Sequence, residues 1–342
     1  MRPILKPALR RVWRDDTTLQ LGLDPERAIV LRGMGPPLTA TLDLLDGTRR
    51  REQVLADARD CGVDAPAAAA LLDLLGHAQA VDDLAAHAPT RRPEEGARLA
   101  PDLAALSLLH PEPGGGQRAL ARRGAARVLV VGGGRVGSAV ALLLGAAGVG
   151  RVDVEDEAPV RLGDLAPGGL LADDLGVARG DALRRRLPPQ VAGASPGPLD
   201  LVLLTPAGAG QPDGRRWRAA GVAHLAVGVR ETTAVVGPLV LPGTTCCLSC
   251  LDLHRTERDP GWPVVASQLQ GPTRGTVDPC EVALATLAAS LAALQALAWL
   301  STAPGAPPPA AAGGTLELAL PDWRVRRRSW SVHPACDCID QR

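Results

Sequence analysis

Phenylalanine and tyrosine are absent from this 342-residue chain. That excludes the usual aromatic core and leaves Leu, Val and six Trp to fill the interior of a chain rich in Ala, Gly and Arg, the bias that high-GC coding produces. Net charge is absent too. Thirty-seven Lys and Arg balance thirty-seven Asp and Glu, so no bulk field draws the protein to nucleic acid or to anionic lipid. The local basic clusters, Arg122-Arg123, Arg184-Arg185-Arg186 and Arg326-Arg327-Arg328, read as solvated faces. The basic first sixteen residues lack the apolar run of a secretory signal. Long apolar stretches are scarce. The best, Val282 to Leu300, is broken by Thr286, Ser290 and Gln295 and is marginal against the ~20 strongly apolar residues a span needs, so a buried core helix is expected and no membrane. Cysteine is sparing, at seven residues, four of them in two tight pairs. That usage suits a reducing cytoplasm and a metal better than a disulfide framework.

Three regions separate by pattern. Residues 1–84 open with extended signals at Trp13 to Asp15, Thr18 to Leu23 and Ala28 to Leu31, then show helical periodicity at Leu38 to Leu45, Arg50 to Arg59 and Ala65 to Leu75. Asp64 before Pro66 is a helix start, with a capping carboxylate and a proline in the first turn. Strands followed by three short helices make a small winged-helix-like α+β unit. Residues 85–124 are rich in Pro, Gly and charge and read as a linker, with a short element around Leu103 to Leu109. From residue 125 the chain takes on α/β grammar. Val128 to Val131 is a continuous apolar run fit for a strand buried on both faces, followed by a glycine turn, a helix from Val136 to Ala147 and a second strand, Arg151 to Glu155. Later strands are expected at Leu199 to Leu204 and His224 to Val229, and a hairpin at Thr315 to Leu320 and Arg324 to Trp330.

Two motifs carry chemistry. Gly132-Gly133-Gly134-Arg135-Val136-Gly137 follows a strand and opens a helix, the context in which backbone N–H groups and a helix N-terminus approach phosphate. Asp156, at the end of the second strand, stands where an acid hydrogen-bonds ribose hydroxyls. Taken alone the turn also fits simple packing of helix on strand. Cys247-Leu248-Ser249-Cys250 and Cys336-Asp337-Cys338 offer two thiolate pairs to one tetrahedral Zn²⁺, and a full thiolate shell makes such a metal structural. His333 and Cys246 are spare candidates better explained by packing, and neither Cys61 nor Cys280 has an evident base that would make it a nucleophile.

Together these residues resemble the ThiF/MoeB adenylating enzymes, relatives of the ubiquitin-activating enzymes. The run Val128 to Gly137, the strand end Val152-Asp153-Val154-Glu155-Asp156 and the two cysteine pairs carry the resemblance over roughly residues 125–338. The segment Pro242 to Pro263 and the closing His333-Pro334-Ala335-Cys336-Asp337-Cys338 look narrower still, like actinobacterial ThiF-like partners of azoline peptide cyclodehydratases. The resemblance implies a Rossmann-like α/β fold over residues 125–342, preceded at 1–84 by a PqqD-like peptide-recognition domain. It implies ATP as a nucleotide, a precursor or leader peptide and a partner modifying enzyme as partners, and it admits a homodimer. A leader peptide would add as a strand beside Arg27 to Arg32 and lie along the helix Pro66 to Leu75, in a groove against Leu71 and Leu75. A winged helix without a ligand, or one contacting DNA, is the competing reading of that domain.

Departures from the family bear on catalysis. Where active members carry a second Asp, an Asn-Leu-x-Arg segment, a Gly-x-x-Lys and a late Asp on Mg²⁺, this chain has Ala158, Asp164-Leu165-Ala166-Pro167, Gly176-Val177-Ala178-Arg179 and Leu203-Leu204-Thr205-Pro206-Ala207. Arg179 is the one surviving cation and is expected to contact phosphate. Adenylation needs cations on the triphosphate and carboxylates on the metal. The segment His254 to Asp259 either replaces part of that machinery or is a helix surface held by ion pairs. A leader-binding protein with degenerate adenylation chemistry is therefore expected, with an active adenylyltransferase as the alternative.

Overall fold

The computed structural model describes residues 1–84, 93–189, 191–192, 197–206, 212–269 and 279–339, in two compact units, Met1–Ala121 and Arg122–Arg342. In the first unit, β2 (Arg11–Asp15), β3 (Thr18–Leu21) and β4 (Ile29–Leu31) form an antiparallel sheet in the order β2-β3-β4, and the flanking strands β1 (Pro3–Leu5) and β5 (Val81–Asp83) pair separately. Helices α1 (Pro36–Asp43), α2 (Arg51–Asp60) and α3 (Ala65–His77) follow β4. Asp64 caps α3, its carboxylate accepting from Ala67 N–H at 2.8 Å. Leu19, Leu21 and Leu31 of the sheet share one core with Leu42, Val54 and the α3 leucines 71, 72 and 75. Leu71 and Leu75 are thus core residues and not the walls of a groove. The exposed leucine of α3 is Leu74.

The linker expectation fares differently. Residues 85–92 lie outside the described set, but α4 (Pro93–Arg98), α5 (Ala100–Leu109) and α6 (Gly115–Ala125) fill most of the stretch. Pro93 opens α4 and Pro101 lies in the first turn of α5, where a missing N–H costs no helical hydrogen bond. Leu99, Leu106, Ala119 and Leu120 make a small core of their own. Lys6, buried to 1 % exposure, donates to the carbonyls of Ser107 (2.7 Å) and Pro111 (2.8 Å), and buried Asp82 accepts from Gly114 N–H. Proline and glycine here shape helix ends, which composition cannot tell from linker.

The second unit is built on a seven-stranded mixed sheet of order β12-β11-β10-β9-β8-β6-β7. Its parallel half comprises β6 (Arg127–Val131), β7 (Arg151–Glu155), β8 (Leu201–Leu204) and β9 (His224–Arg230). The antiparallel half adds β10 (Thr233–Val240), β11 (Gly314–Ala319) and β12 (Val325–Ser329). Helix α7 (Arg135–Ala146) returns β6 to β7, and α8 (Arg179–Arg186) packs on β7. Further on come α9 (Arg215–Ala219), α10 (Leu248–Arg258), α11 (Trp262–Gln268) and α12 (Val282–Ser301). By length and composition α12 could cross a membrane, but it packs on α7, β9 and β10, with Ala285, Ala288, Ala289, Ala292, Ala293 and Ala296 buried. It is a core helix whose small side chains let it lie close to the sheet. Because β6 sends the chain to β7 on one side and has β8 on the other, the topological switch point falls at the carboxyl ends of β6 and β8, where open α/β sheets bind ligands.

Candidate functional site

The glycine turn sits at that switch point. Gly132 has φ +101°, and a Cβ there would stand 2.1 Å from Thr205 O; one on Gly137 would stand 1.9 Å from Gly132 O. Both glycines are forced by packing of the turn on the loop after β8. Thr205 completes the arrangement, its hydroxyl donating to Gly132 O at 2.7 Å. Gly134, the N-cap of α7, differs: its φ is an ordinary −68° and nothing lies within 4 Å of a built Cβ. Arg135 is structural, donating to the carbonyls of Gly163 and Cys280, each at 2.6 Å.

Asp156 and Arg179, expected to contact ribose and phosphate, are brought together and engaged with each other. Asp156 accepts from Gly133 N–H at 2.7 Å and from Ala158 N–H at 2.9 Å, and Arg179 lies 3.2 Å from it. Arg179 also clasps Asp164 with two nitrogens, Nε at 2.9 Å and Nη2 at 2.8 Å. Burial opposes the Arg179 charge, yet Asp164 and then Asp156 hold its pKa above the ordinary value. A cleft of about 520 Å³ opens beside Gly132, Asp156, Arg179 and Thr205 and is also lined by Arg216 and Trp217. Arg216 is 58 % exposed, pairs with Glu155 at 2.9 Å and stacks 4.0 Å above the Trp217 ring. Sequence reasoning missed Arg216 and Trp217, since neither belongs to a motif, and met Thr205 only as part of the segment that lacks the late acid. Thr205 alone has a positional signal, directly after the buried strand β8. Ala207, in the segment read as lacking the late acid, lies outside the described residues.

The four motif cysteines converge. Sγ of Cys247 lies 3.8 Å from that of Cys250 and 3.6 Å from that of Cys336, Cys250 Sγ lies 3.4 Å from Cys338 Sγ, and all four fall within 4.8 Å of one another. Zn–S bonds of ~2.3 Å at tetrahedral angles put sulfurs about 3.8 Å apart, so the thiols fit a four-coordinate metal. Burial pushes Cys338 up to about 12 and raises Cys336 as well. At Cys247 burial is outweighed by hydrogen bonds from Cys250 and Cys336, and the pKa lies below its ordinary value. A divalent ion is what would make the raised thiols thiolates. Cys246 is buried beside them but stands outside the four, and burial pushes it likewise to about 12. Val240, Leu251 and Trp330 pack around the knot, which ties the start of α10 to the tail after β12. Arg218 reaches the same tail through Asp337. The His254 to Asp259 segment turns toward this tail. His254 Nε2 lies 3.0 Å from Ser331 O, and the Arg258 guanidinium lies 5.2 Å from the Trp330 ring.

Comparisons with known proteins agree with this geometry. Residues 108–189 match the family model described as ThiF family. No curated protein sequence matches the chain. Among solved structures, E. coli MccB with AMPCPP and MccA superposes with a TM-score of 0.73 at 13% identity, covering 99% of each chain. The microcin C7 biosynthetic enzyme MccB in complex with N-formylated MccA gives 0.69 at 14%, covering 99% of this chain and 100% of that one. PaaA gives 0.60 at 18%, covering 76% and 91%. At such identities the likeness is one of fold, and the fold is the Rossmann-like ThiF fold seen in MccB.

Proposed function

We propose that this chain, whose residues 108–189 are a ThiF-family domain, binds a precursor peptide and a nucleotide in a reducing cytoplasm and presents the peptide to a separate modifying enzyme. One observation carries the reading: the nucleotide-type cleft keeps its shape while its charged groups are spent on each other. Arg179, the expected phosphate contact, is held by Asp156 and Asp164, and Asp156 also takes the Gly133 N–H that a phosphate oxygen would take. Gly134 is the glycine whose small size packing does not explain, and it supports a ligand approaching the start of α7. Gly132 and Gly137 shape that cradle, and Cys247, Cys250, Cys336 and Cys338 would hold structural zinc.

Peptide binding is supported by the first unit, which reads as a PqqD-like recognition domain at residues 1–84. Among the described residues β4 pairs with β3 alone, so its other edge is open for strand addition, with Val30 exposed on it and Leu74 exposed on α3. Arg27 and Arg32 flank that edge and favour acidic peptide residues. The test uses the full-length chain, because Lys6 and Asp82 hold partners beyond residue 84. Short peptides encoded beside the gene are measured by fluorescence anisotropy. Charge reversal at Arg27 and Arg32 should weaken binding about tenfold and flatten its salt dependence. Unchanged affinity discards strand addition at β4.

A second reading, adenylation of a peptide carboxylate, is favoured by the likeness over nearly the whole chain to MccB solved with the ATP analogue AMPCPP. Its cation would be Arg216, which faces the cleft and is exposed enough to leave Glu155. Robust ATP–pyrophosphate exchange dependent on peptide would establish this reading and displace the first.

A further inference from the structure

One turn beyond Cys250, α10 carries His254 and, three residues on, Glu257 on the same face. The tail after β12 brings His333 against both. The His254 and His333 ring centroids are 4.7 Å apart, and one donor atom from each of the three side chains falls within 4.8 Å of the others. We propose that His254, Glu257 and His333 form a second metal site, separate from the four thiols, for a divalent first-row transition ion.

The spacing is that of neighbouring ligands. His333 Nε2 lies 2.8 Å from Glu257 Oε1, yet this buried nitrogen has no hydrogen-bond partner, so the two atoms are close without being aligned on each other. His254 Nδ1 lies 3.6 Å from Glu257 Oε2, too long for a hydrogen bond. Donors about 2.1 Å from one metal stand roughly 3.0 Å apart at right angles and about 3.4 Å apart at the tetrahedral angle.

Proton placement suits His254. Its Nε2 donates to Ser331 O at 3.0 Å, the outer hydrogen bond that metal-binding histidines make, which leaves the Nδ1 lone pair toward Glu257. His333 requires one exchange. Its Nδ1 accepts from Ala335 N–H at 3.1 Å, so the ring proton rests on Nε2. Metal at Nε2 moves that proton to Nδ1 and releases the Ala335 amide, with no net change in protonation. Glu257 is 63 % exposed, which leaves room for water to complete the coordination sphere. Two imidazoles and a carboxylate are harder donors than four thiolates. Zinc therefore fills the thiol site first, and the second ion is the exchangeable one.

The test is a Co²⁺ titration of the full-length, zinc-loaded protein. The wild type should take up a further equivalent of cobalt with weak ligand-field absorption and no sulfur-to-cobalt charge-transfer band, and the Ala335 amide resonance should shift. Glu257→Gln and His254→Gln should each weaken that uptake more than tenfold while retaining the zinc of the thiol site. Should cobalt enter the thiols, its intense charge-transfer band is read apart from the weak bands of the N/O site. The proposal is overturned if the wild type shows no such second equivalent, or if both variants bind cobalt as the wild type does.

Discussion

The glycine cleft and the cysteine knot occupy the same unit, and both were announced by short motifs, but they spend their polar groups in opposite ways. In the cleft, Asp156, Asp164 and Arg179 satisfy one another and a loop N–H. In the knot, four thiols are crowded to 3.4–3.8 Å between neighbours. Charges paired with one another are satisfied without a ligand. A thiol cluster gains most of its meaning from one. Backbone shape and ligand-binding capacity are thus separable, and a motif in sequence reports the first.

Removal of the knot should have the largest effect. Purified protein should carry about one zinc per chain, and Cys250→Ser combined with Cys338→Ser should abolish it and lower the unfolding temperature by at least ~10 °C. Metal analysis and calorimetry check this, and a metal-free wild type with the same melting point as the double variant removes the contrast. Within the cleft, two glycines should part company. Gly137→Ala places a Cβ 1.9 Å from Gly132 O and should cost about 2–4 kcal/mol by denaturant titration, although the same change at an unconstrained helix position would stabilise. Gly134→Val should change stability by less than ~1 kcal/mol but abolish the heat of ATP or AMP binding in calorimetry.

A gentler change tests whether paired charges hold the cleft back. Asp164→Asn leaves Arg179 only Asp156 as an ionised partner, and ATP affinity should rise several-fold. An unchanged affinity would mean that Arg179 has no part in nucleotide binding. Asp174 and Arg186, paired at 2.6 Å, supply the baseline for an ordinary committed pair. Burial raises the Asp174 carboxyl, but the Leu171 N–H and Arg186 outweigh it and hold the pKa below its ordinary value. Its contribution to stability is therefore present above the unfolded value and lost as pH falls through the folded one. Asp174→Asn should melt about 2–4 °C below the wild type at pH 7, with a gap that closes as the pH drops below about 4.

Much of this was legible in the chain. The strand-turn-helix at Val128 to Ala147, the α3 cap at Asp64 and the convergence of four cysteines followed from period, spacing and ligand chemistry. Other parts were not, for identifiable reasons. Strands β1 and β5 are three residues each and lie more than seventy residues apart, so neither has a period to read. Strand β10 contains Gly237-Pro238, which argues against a central strand. The structure accommodates it where the register shifts between Val236 and Leu239. The spent state of Arg179 depends on Asp164 arriving through a loop, and Arg216 and Trp217 depend on where α9 starts. Those are facts of tertiary placement.

A metal on the knot would also act on the unfolded chain. Cys250 and Cys338 are 88 positions apart, and a covalent-strength clip across that span denies the disordered chain about 4.5 kcal/mol of loop entropy at room temperature. The clip encloses α11, α12, β11 and β12, so these elements would unravel as a closed ring, even with their hydrogen bonds gone. Synthesis runs the same constraint in reverse. The ring cannot shut until Cys338 has been made, so the clip can close only after α12 and the β11–β12 hairpin have been synthesised.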